Sequence, residues 1–256
     1  MKLKPMLAKP YTGQNIKGWL MSEKLDGVRA VWNGSELLSR NGNKFFAPDW
    51  FFNQLPAGII LDGELFIGRG CFQQTVSIVR KKKPIDIEWQ TIRYCVFDAP
   101  EATGGFAARL TFAEDIIKNR KIKIAEVVNH VPCRNEAHLR EFSAALCAEG
   151  AEGVMLRKSD SCYEQKRSGN LLKFKSESSD EAEVIDYQPG EGKHAGALGA
   201  LICKWKGIIF NLGTGFTDVI RDNPPQIGSR VTFKFQELTN AGVPRFPVFI
   251  AERNYE

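Results

Sequence analysis

The sequence predicts an α+β chain in two domains, with antiparallel sheets and flanking helices over residues 1–178 and a small all-strand unit over 179–256. Three observations predict it. Short alternating or apolar runs bounded by Gly, Pro and Asn fill the first hundred residues, helical spacing appears clearly in only two places, and strand-like runs return after a polar, acidic stretch at 176–181. A chain of 256 residues has room for two cores, because a domain commonly takes roughly 100–150 residues.

The runs at 27–32, 37–39, 59–67 and 91–97 read as strands. One helix is expected over 110–119 with Thr111 as its cap candidate, and another over 135–148, where Leu139, Phe142 and Leu146 recur at helical spacing. Strands resume at Val154. The segment Ser176-Glu177-Ser178-Ser179-Asp180-Glu181 has no large apolar residue and is the expected linker. Beyond it lie strand-like stretches at 182–187, 200–205, 208–212, 230–236 and 248–252. Five strands in about 75 residues fit either a small closed barrel of the oligonucleotide-binding (OB) type or an unrelated five-stranded sheet, and composition does not choose between them.

Through residue 178 there are 27 Lys and Arg against 20 Asp and Glu, and after it 8 against 10, so the positive excess lies wholly in the first part. That distribution suits a polyanionic partner such as a nucleic acid. The six cysteines show no C-x-x-C pair and the three histidines are scattered, which excludes the usual zinc spacings and favours reduced thiols over a disulfide framework. No signal-peptide run or membrane-spanning stretch is present, so a cytoplasmic chain is expected as given, or a periplasmic one if a leader has been removed. Gly190-Glu191-Gly192-Lys193 lacks the spacing and the Ser or Thr of a P-loop, and Gly213-Thr214-Gly215 lacks the setting of a dinucleotide fingerprint.

The chemistry concentrates first in Ser22-Glu23-Lys24-Leu25-Asp26-Gly27-Val28-Arg29. Polar residues at this density need a partner, or else form a solvated turn. Lys173 and Lys175 stand two apart on an expected strand and so share a face; their ammonium groups repel unless an anion lies by them. Asp62 and Glu64 share a face in the same way, with Gly63 leaving room between. Further segments follow in order: Ser39-Arg40-Asn41-Gly42, Leu61-Asp62-Gly63-Glu64-Leu65, Tyr94-Cys95-Val96-Phe97-Asp98, Glu152-Gly153-Val154-Met155 and Leu172-Lys173-Phe174-Lys175.

Taken in this order, the six segments resemble the motif series of the covalent nucleotidyltransferases: DNA ligases, RNA ligases and mRNA-capping guanylyltransferases. Phe106-Ala107-Ala108-Arg109-Leu110, Leu198-Gly199-Ala200-Leu201, Gly213-Thr214-Gly215-Phe216 and Pro244-Arg245-Phe246-Pro247 extend the likeness to the small bacterial ATP-dependent ligases of the ligase E type. The resemblance implies a nucleotidyltransferase (adenylation) domain over 1–178 and an OB-fold barrel over 179–256. It implies ATP and magnesium, with manganese as a substitute, and a monomer acting on nicked double-stranded DNA. A capping guanylyltransferase, an RNA ligase or a non-catalytic OB-type nucleic-acid-binding protein are the readings left beside it.

By that resemblance Lys24 is the nucleophile that takes AMP, and Lys173 and Lys175 contact the α-phosphate. A free lysine has a pKa of about 10.4, so attack on phosphorus demands neighbours that favour the neutral amine. Ser22, Glu23, Leu25, Arg29, Arg40, Glu64, Phe97 and Met155 are the implied nucleotide-binding residues: Ser22 at the adenine edge, Phe97 and Met155 on its two faces, Arg29 and Arg40 toward the ribose and the 5′-phosphate side of a nick. Glu64 and Glu152 are the implied metal carboxylates. For DNA, the clusters Arg80-Lys81-Lys82-Lys83 and 118–123 are candidates, and Arg157, Lys158, Lys166 and Arg167 are better placed. Larger ligases close with a basic, Asp-containing motif; here the chain closes with Arg253-Asn254-Tyr255-Glu256, leaving Arg253 or Arg245 to stand in.

Overall fold

A computed structural model describes residues 3–175, 178–239 and 241–253. The chain divides into two compact units, Met1–Lys175 and Ser176–Glu256.

The first unit holds two five-stranded sheets. One runs in the order Leu7–Pro10, Arg167–Phe174, Val154–Arg157, Leu20–Glu23, Val131–Pro132; the other runs Leu37–Ser39, Val28–Trp32, Leu61–Phe66, Arg93–Asp98, Ala125–Val127. Pairing is antiparallel except at one edge of each sheet, where Leu7–Pro10 lies parallel to Arg167–Phe174 and Arg93–Asp98 parallel to Ala125–Val127. The second exception follows from the helix Phe106–Asn119, which carries the chain back over the sheet, as a parallel pair requires. The second sheet supplies most of the core: Trp32, Leu37, Leu61, Leu65, Tyr94 and Val96 are buried with Phe51 and Trp89, whose rings meet edge to face at 4.9 Å.

Both expected helices form. Glu136–Ala148 is capped by Asn135, whose Oδ1 accepts the His138 N–H at 2.9 Å. The other begins at Phe106 behind Gly105, and Thr111 is no cap: it sits within the helix and its hydroxyl donates to the Ala107 carbonyl at 3.2 Å. The first turn escaped the periodicity because Arg109, a buried residue there, is charged. The short helices Asp49–Phe52, Phe72–Val79, Asp86–Trp89 and Asp218–Asp222 offer too few turns for a period to register.

In the second unit the sheet order is Ile208–Leu212, Leu198–Trp205, Ser178–Pro189, Arg230–Phe235, Val248–Arg253. Thr214, two residues beyond one edge strand, bridges Val248 at the start of the other, and its carbonyl accepts the Phe249 N–H at 2.9 Å. The ends of the sheet thus meet at one bridge rather than through a continuous closing ladder among the described residues. Val184, Leu201, Cys203, Leu212, Val231 and Phe233 fill the core.

The expected linker is corrected. Residues 176 and 177 lie outside the described residues, but Ser178, Ser179, Asp180 and Glu181 are strand, paired with Phe235 back to Thr232. Their polarity reflects exposure and ion pairing, since Asp180 meets Lys206 at 2.9 Å and Glu181 meets Arg253 at 3.1 Å.

Candidate active site

Lys24 follows the strand Leu20–Glu23, and its backbone N–H donates to the Gly153 carbonyl at 2.9 Å. Strand pairing sets Ser22 opposite Met155 and Glu23 opposite Val154. The chain then crosses at Gly27 into the second sheet. A Cβ on Gly27 would stand 2.4 Å from the Leu65 carbonyl oxygen and 2.8 Å from Glu64 Cγ, so the glycine of the Lys-Leu-Asp-Gly run permits a close backbone crossing.

One pocket collects Ser22, Glu23, Lys24, Leu25 and Met155 from the first sheet and Arg29, Glu64 and Phe97 from the second. Eight of the residues expected at the nucleotide are therefore together. Glu152, Lys173 and Lys175 are not part of that lining, yet they stand beside Lys24. The Lys24 ammonium donates to Glu152 Oε2, and Lys175 Nζ lies 2.5 Å from Glu152 Oε1. Partial burial and repulsion from Lys175 and Lys24 hold Lys173 below the ordinary lysine value. Arg40 is exposed in the turn after Leu37–Ser39 and does not line the pocket.

Arg29 and Glu64 are cross-strand neighbours. Burial pushes the Glu64 carboxyl up to about 8 against the pull of Arg29 and Lys24, with Asp62 and Glu152 repelling its charge further. Among the described residues no group of three or more His, Cys, Asp or Glu gathers at a candidate metal position. The donors on hand are the oxygens of Glu64 and Glu152. That pair fits a hard divalent cation that fills its other positions with water and phosphate, and it does not fit zinc.

Several contacts that shape the pocket were not legible beforehand. Asp62 is fully buried and accepts two bonds from Arg29; Tyr163 donates to Asp62 Oδ2 at 2.6 Å and accepts the Met6 N–H at 3.0 Å. Phe106, Val128 and His130 line the apolar end. His130 Nδ1 donates to the Val128 carbonyl at 2.7 Å, the ring meets Phe106 edge to face at 5.3 Å, and burial pushes its pKa down to about 4.

Arg157 corrects a sequence expectation. It is not offered to DNA but is 4% exposed, 3.3 Å from Asp98, and donates to Ser161 Oγ at 3.1 Å. Arg109 grips the same Asp98 at 2.7 and 3.1 Å. Basic residues beside a site can be buried struts as readily as phosphate contacts, and only a partner residue distinguishes them. Lys158, Lys166 and Arg167 remain exposed, as do Arg80, Lys82 and Lys83. Arg253 is held by Glu181 and Thr232, and residues 254–256 lie outside the described residues.

Fold and site together define a nucleotidyltransferase unit joined to an OB-type unit. Residues 5–175 match the ATP dependent DNA ligase domain family, and residues 189–253 match the DNA ligase OB-like domain family. The chain is 37% identical over 248 residues to a DNA ligase of Haemophilus influenzae, covering 97% of this chain and 91% of that one. It resembles a solved Lig E DNA ligase with a TM-score of 0.77 and 37% identity, over 99% of this chain and all of the other. The adenylate form of Chlorella virus DNA ligase gives 0.58 and 27% identity, over 98% and 99%. The chain belongs to the ATP-dependent DNA ligases. It is an enzyme that seals DNA with ATP and a divalent metal ion, so the guanylyltransferase, RNA ligase and non-catalytic readings give way. Among the described residues no helix is long and apolar enough to cross a membrane.

Proposed function

We propose that this ligase seals nicks in duplex DNA through a covalent AMP on Lys24. One observation carries the reading: the only motif lysine in the pocket lining lies against Glu152, which also holds Lys175, beside a cleft lined by an aromatic ring, a thioether and an arginine. The first unit is the adenylation domain and the second, OB-type unit helps hold the duplex.

In the first step Lys24 Nζ forms a bond to the α-phosphorus of ATP while the bond from that phosphorus to the bridging oxygen breaks, and pyrophosphate leaves with the electron pair. Nζ gives up two of its three protons, one along its bond to Glu152 and one to solvent, and keeps the third in the P–N linkage to AMP. Lys173 and Lys175 face the negative charge that builds on the phosphate, and Arg29 and Glu64 border the ribose. Phe97 and Met155 bracket the adenine, with Ser22 at its edge. Glu23 and Leu25 frame the cleft around the nucleophile. Glu64 and Glu152 would hold magnesium, or manganese in its place, which supplies neutralisation of phosphate charge.

AMP then passes from Lys24 to the 5′-phosphate of the nick, and the 3′-hydroxyl attacks that phosphate and displaces AMP. Each step is an in-line displacement, so positioning and fixed charge carry the catalysis and no histidine base is needed. Arg40, exposed beyond the pocket, reaches for the 5′-phosphate side of the nick. Exposed Lys158, Lys166 and Arg167 contact backbone phosphates without reading sequence, as a ligase must. The protein acts as a monomer in the cytoplasm.

The test is chemical. Protein incubated with ATP and magnesium should gain the mass of one AMP and lose it on addition of nicked duplex, yielding sealed product. Absence of an adduct with ATP, or an adduct that nicked duplex does not discharge, would overturn this reading.

A further inference from the structure

We propose that Arg69 is a positioning residue for the adenylation step, clamping the two chain segments that bring Lys24 and Glu152 together. The inference rests on the reading of Lys24 as nucleophile. Arg69 lies in the loop after strand Leu61–Phe66, outside the pocket lining and outside every motif quoted above. Its Nε and Nη2 donate to the two oxygens of Glu23, each at 2.9 Å. Its Nη1 donates to the Glu149 backbone carbonyl at 3.1 Å and to Glu149 Oε2 at 2.9 Å.

The two partners are not arbitrary surface acids. Glu23 is the residue before Lys24, and Glu149 opens the turn that carries Glu152 and Gly153. Glu152 pairs with the Lys24 ammonium, and Gly153 accepts the Lys24 backbone N–H at 2.9 Å. A single guanidinium therefore grips both segments one to three residues from the reacting pair. Arg69 is 31% exposed and Glu149 68%, and exposed ion pairs add little to folding stability. A planar fork holding a carboxylate on one edge and a backbone carbonyl on the other instead fixes direction, which a lysine ammonium cannot do. Direction is what a nucleophile needs, since a misplacement of about 1 Å can cost about 10²-fold in rate.

The experiment separates the steps in the full-length protein. Arg69→Met is compared with the unchanged enzyme in single-turnover transfer of AMP from ATP to protein, and in sealing of a nick that already carries a 5′-adenylate, a step that does not use the Lys24 amine. Expected are a fall of about 10–100-fold in AMP transfer at saturating ATP, little change in KM for ATP, and near-normal sealing of the adenylated nick. Arg69→Lys should restore little. The double variant Glu149→Gln/Arg69→Met should be no slower than Arg69→Met alone, because both remove one clamp and Glu149 lies outside the pocket lining.

Unchanged AMP transfer would overturn the proposal. So would an equal fall in both steps, which marks a general structural or DNA-contact role, or multiplied losses in the double variant. Absence of any adduct on the unchanged enzyme is a separate result, and it would overturn the reading of Lys24 itself.

Discussion

Arg29 and Asp62 are locked in a two-pronged ion pair, Nε to Oδ1 at 2.6 Å and Nη2 to Oδ2 at 2.5 Å, with the guanidinium 4.6 Å from the centre of the Phe97 ring. Asp62 has no exposed side-chain surface and also takes the Tyr163 hydroxyl. Removing it strands a cation and a phenol. Asp62→Ala is expected to cost about 3–5 kcal/mol of stability, the usual penalty for breaking a buried pair from one side. Urea denaturation checks this, and a cost under about 1 kcal/mol would contradict a coupled network.

Glu152 sits between two ammonium groups. Glu152→Gln keeps the shape but removes the charge, leaving Lys24 and Lys175 to repel. AMP transfer should fall by about 10²-fold or more, the scale for losing one preorganised electrostatic group. Single-turnover labelling with ATP measures it; a change under about threefold would remove Glu152 from the chemistry.

Gly153 is the backbone anchor of Lys24. Its φ is +151° and a Cβ would stand 2.4 Å from the Phe174 carbonyl oxygen. Gly153→Ala should destabilise by about 1–3 kcal/mol and disturb the pairing of Val154–Arg157 with Arg167–Phe174. Both the melting temperature and AMP transfer should drop, because the same peptide links packing to the proposed nucleophile, Lys24.

His130 gives the fold a pH dependence. Its pKa is pushed down to about 4 by burial, from an ordinary 6.5, so the unfolded chain binds a proton between those values and the native chain does not. The native state therefore keeps the full contribution above pH 6.5 and loses it as pH falls through about 4. The shift corresponds to about 3 kcal/mol. Denaturant titrations from pH 7 to 4 should show a decline that His130→Gln flattens; an equal decline in the variant would assign it to other groups.

What was legible in the sequence depended on whether function or packing had chosen the residue. Lys24, Glu64 and Phe97, which share one pocket, and Glu152 and Lys175, which stand beside Lys24, could be singled out because most are polar residues with no packing role to explain them and all lie in segments whose order resembled a known series; Phe97 came from the resemblance alone. Their partners could not. Asp62, noted only as sharing a face with Glu64, proved to be the buried counter-ion of Arg29, while Arg157 looked like a phosphate contact and proved to be a strut on Asp98. Strands with alternating residues were visible, but Ser178–Glu181 was hidden because its pairing lies in the backbone and both its faces are polar or ion-paired. Arg69 carried no signal at all: its partners Glu23 and Glu149 come from distant segments, and only folding brings them to one guanidinium.

Intact-mass analysis with fragment mapping after exposure to ATP and magnesium tests the role of Lys24 most directly. One AMP should be found on the peptide carrying Lys24, absent in Lys24→Ala and discharged by nicked duplex. AMP on another residue, or an undiminished adduct in Lys24→Ala, would contradict it.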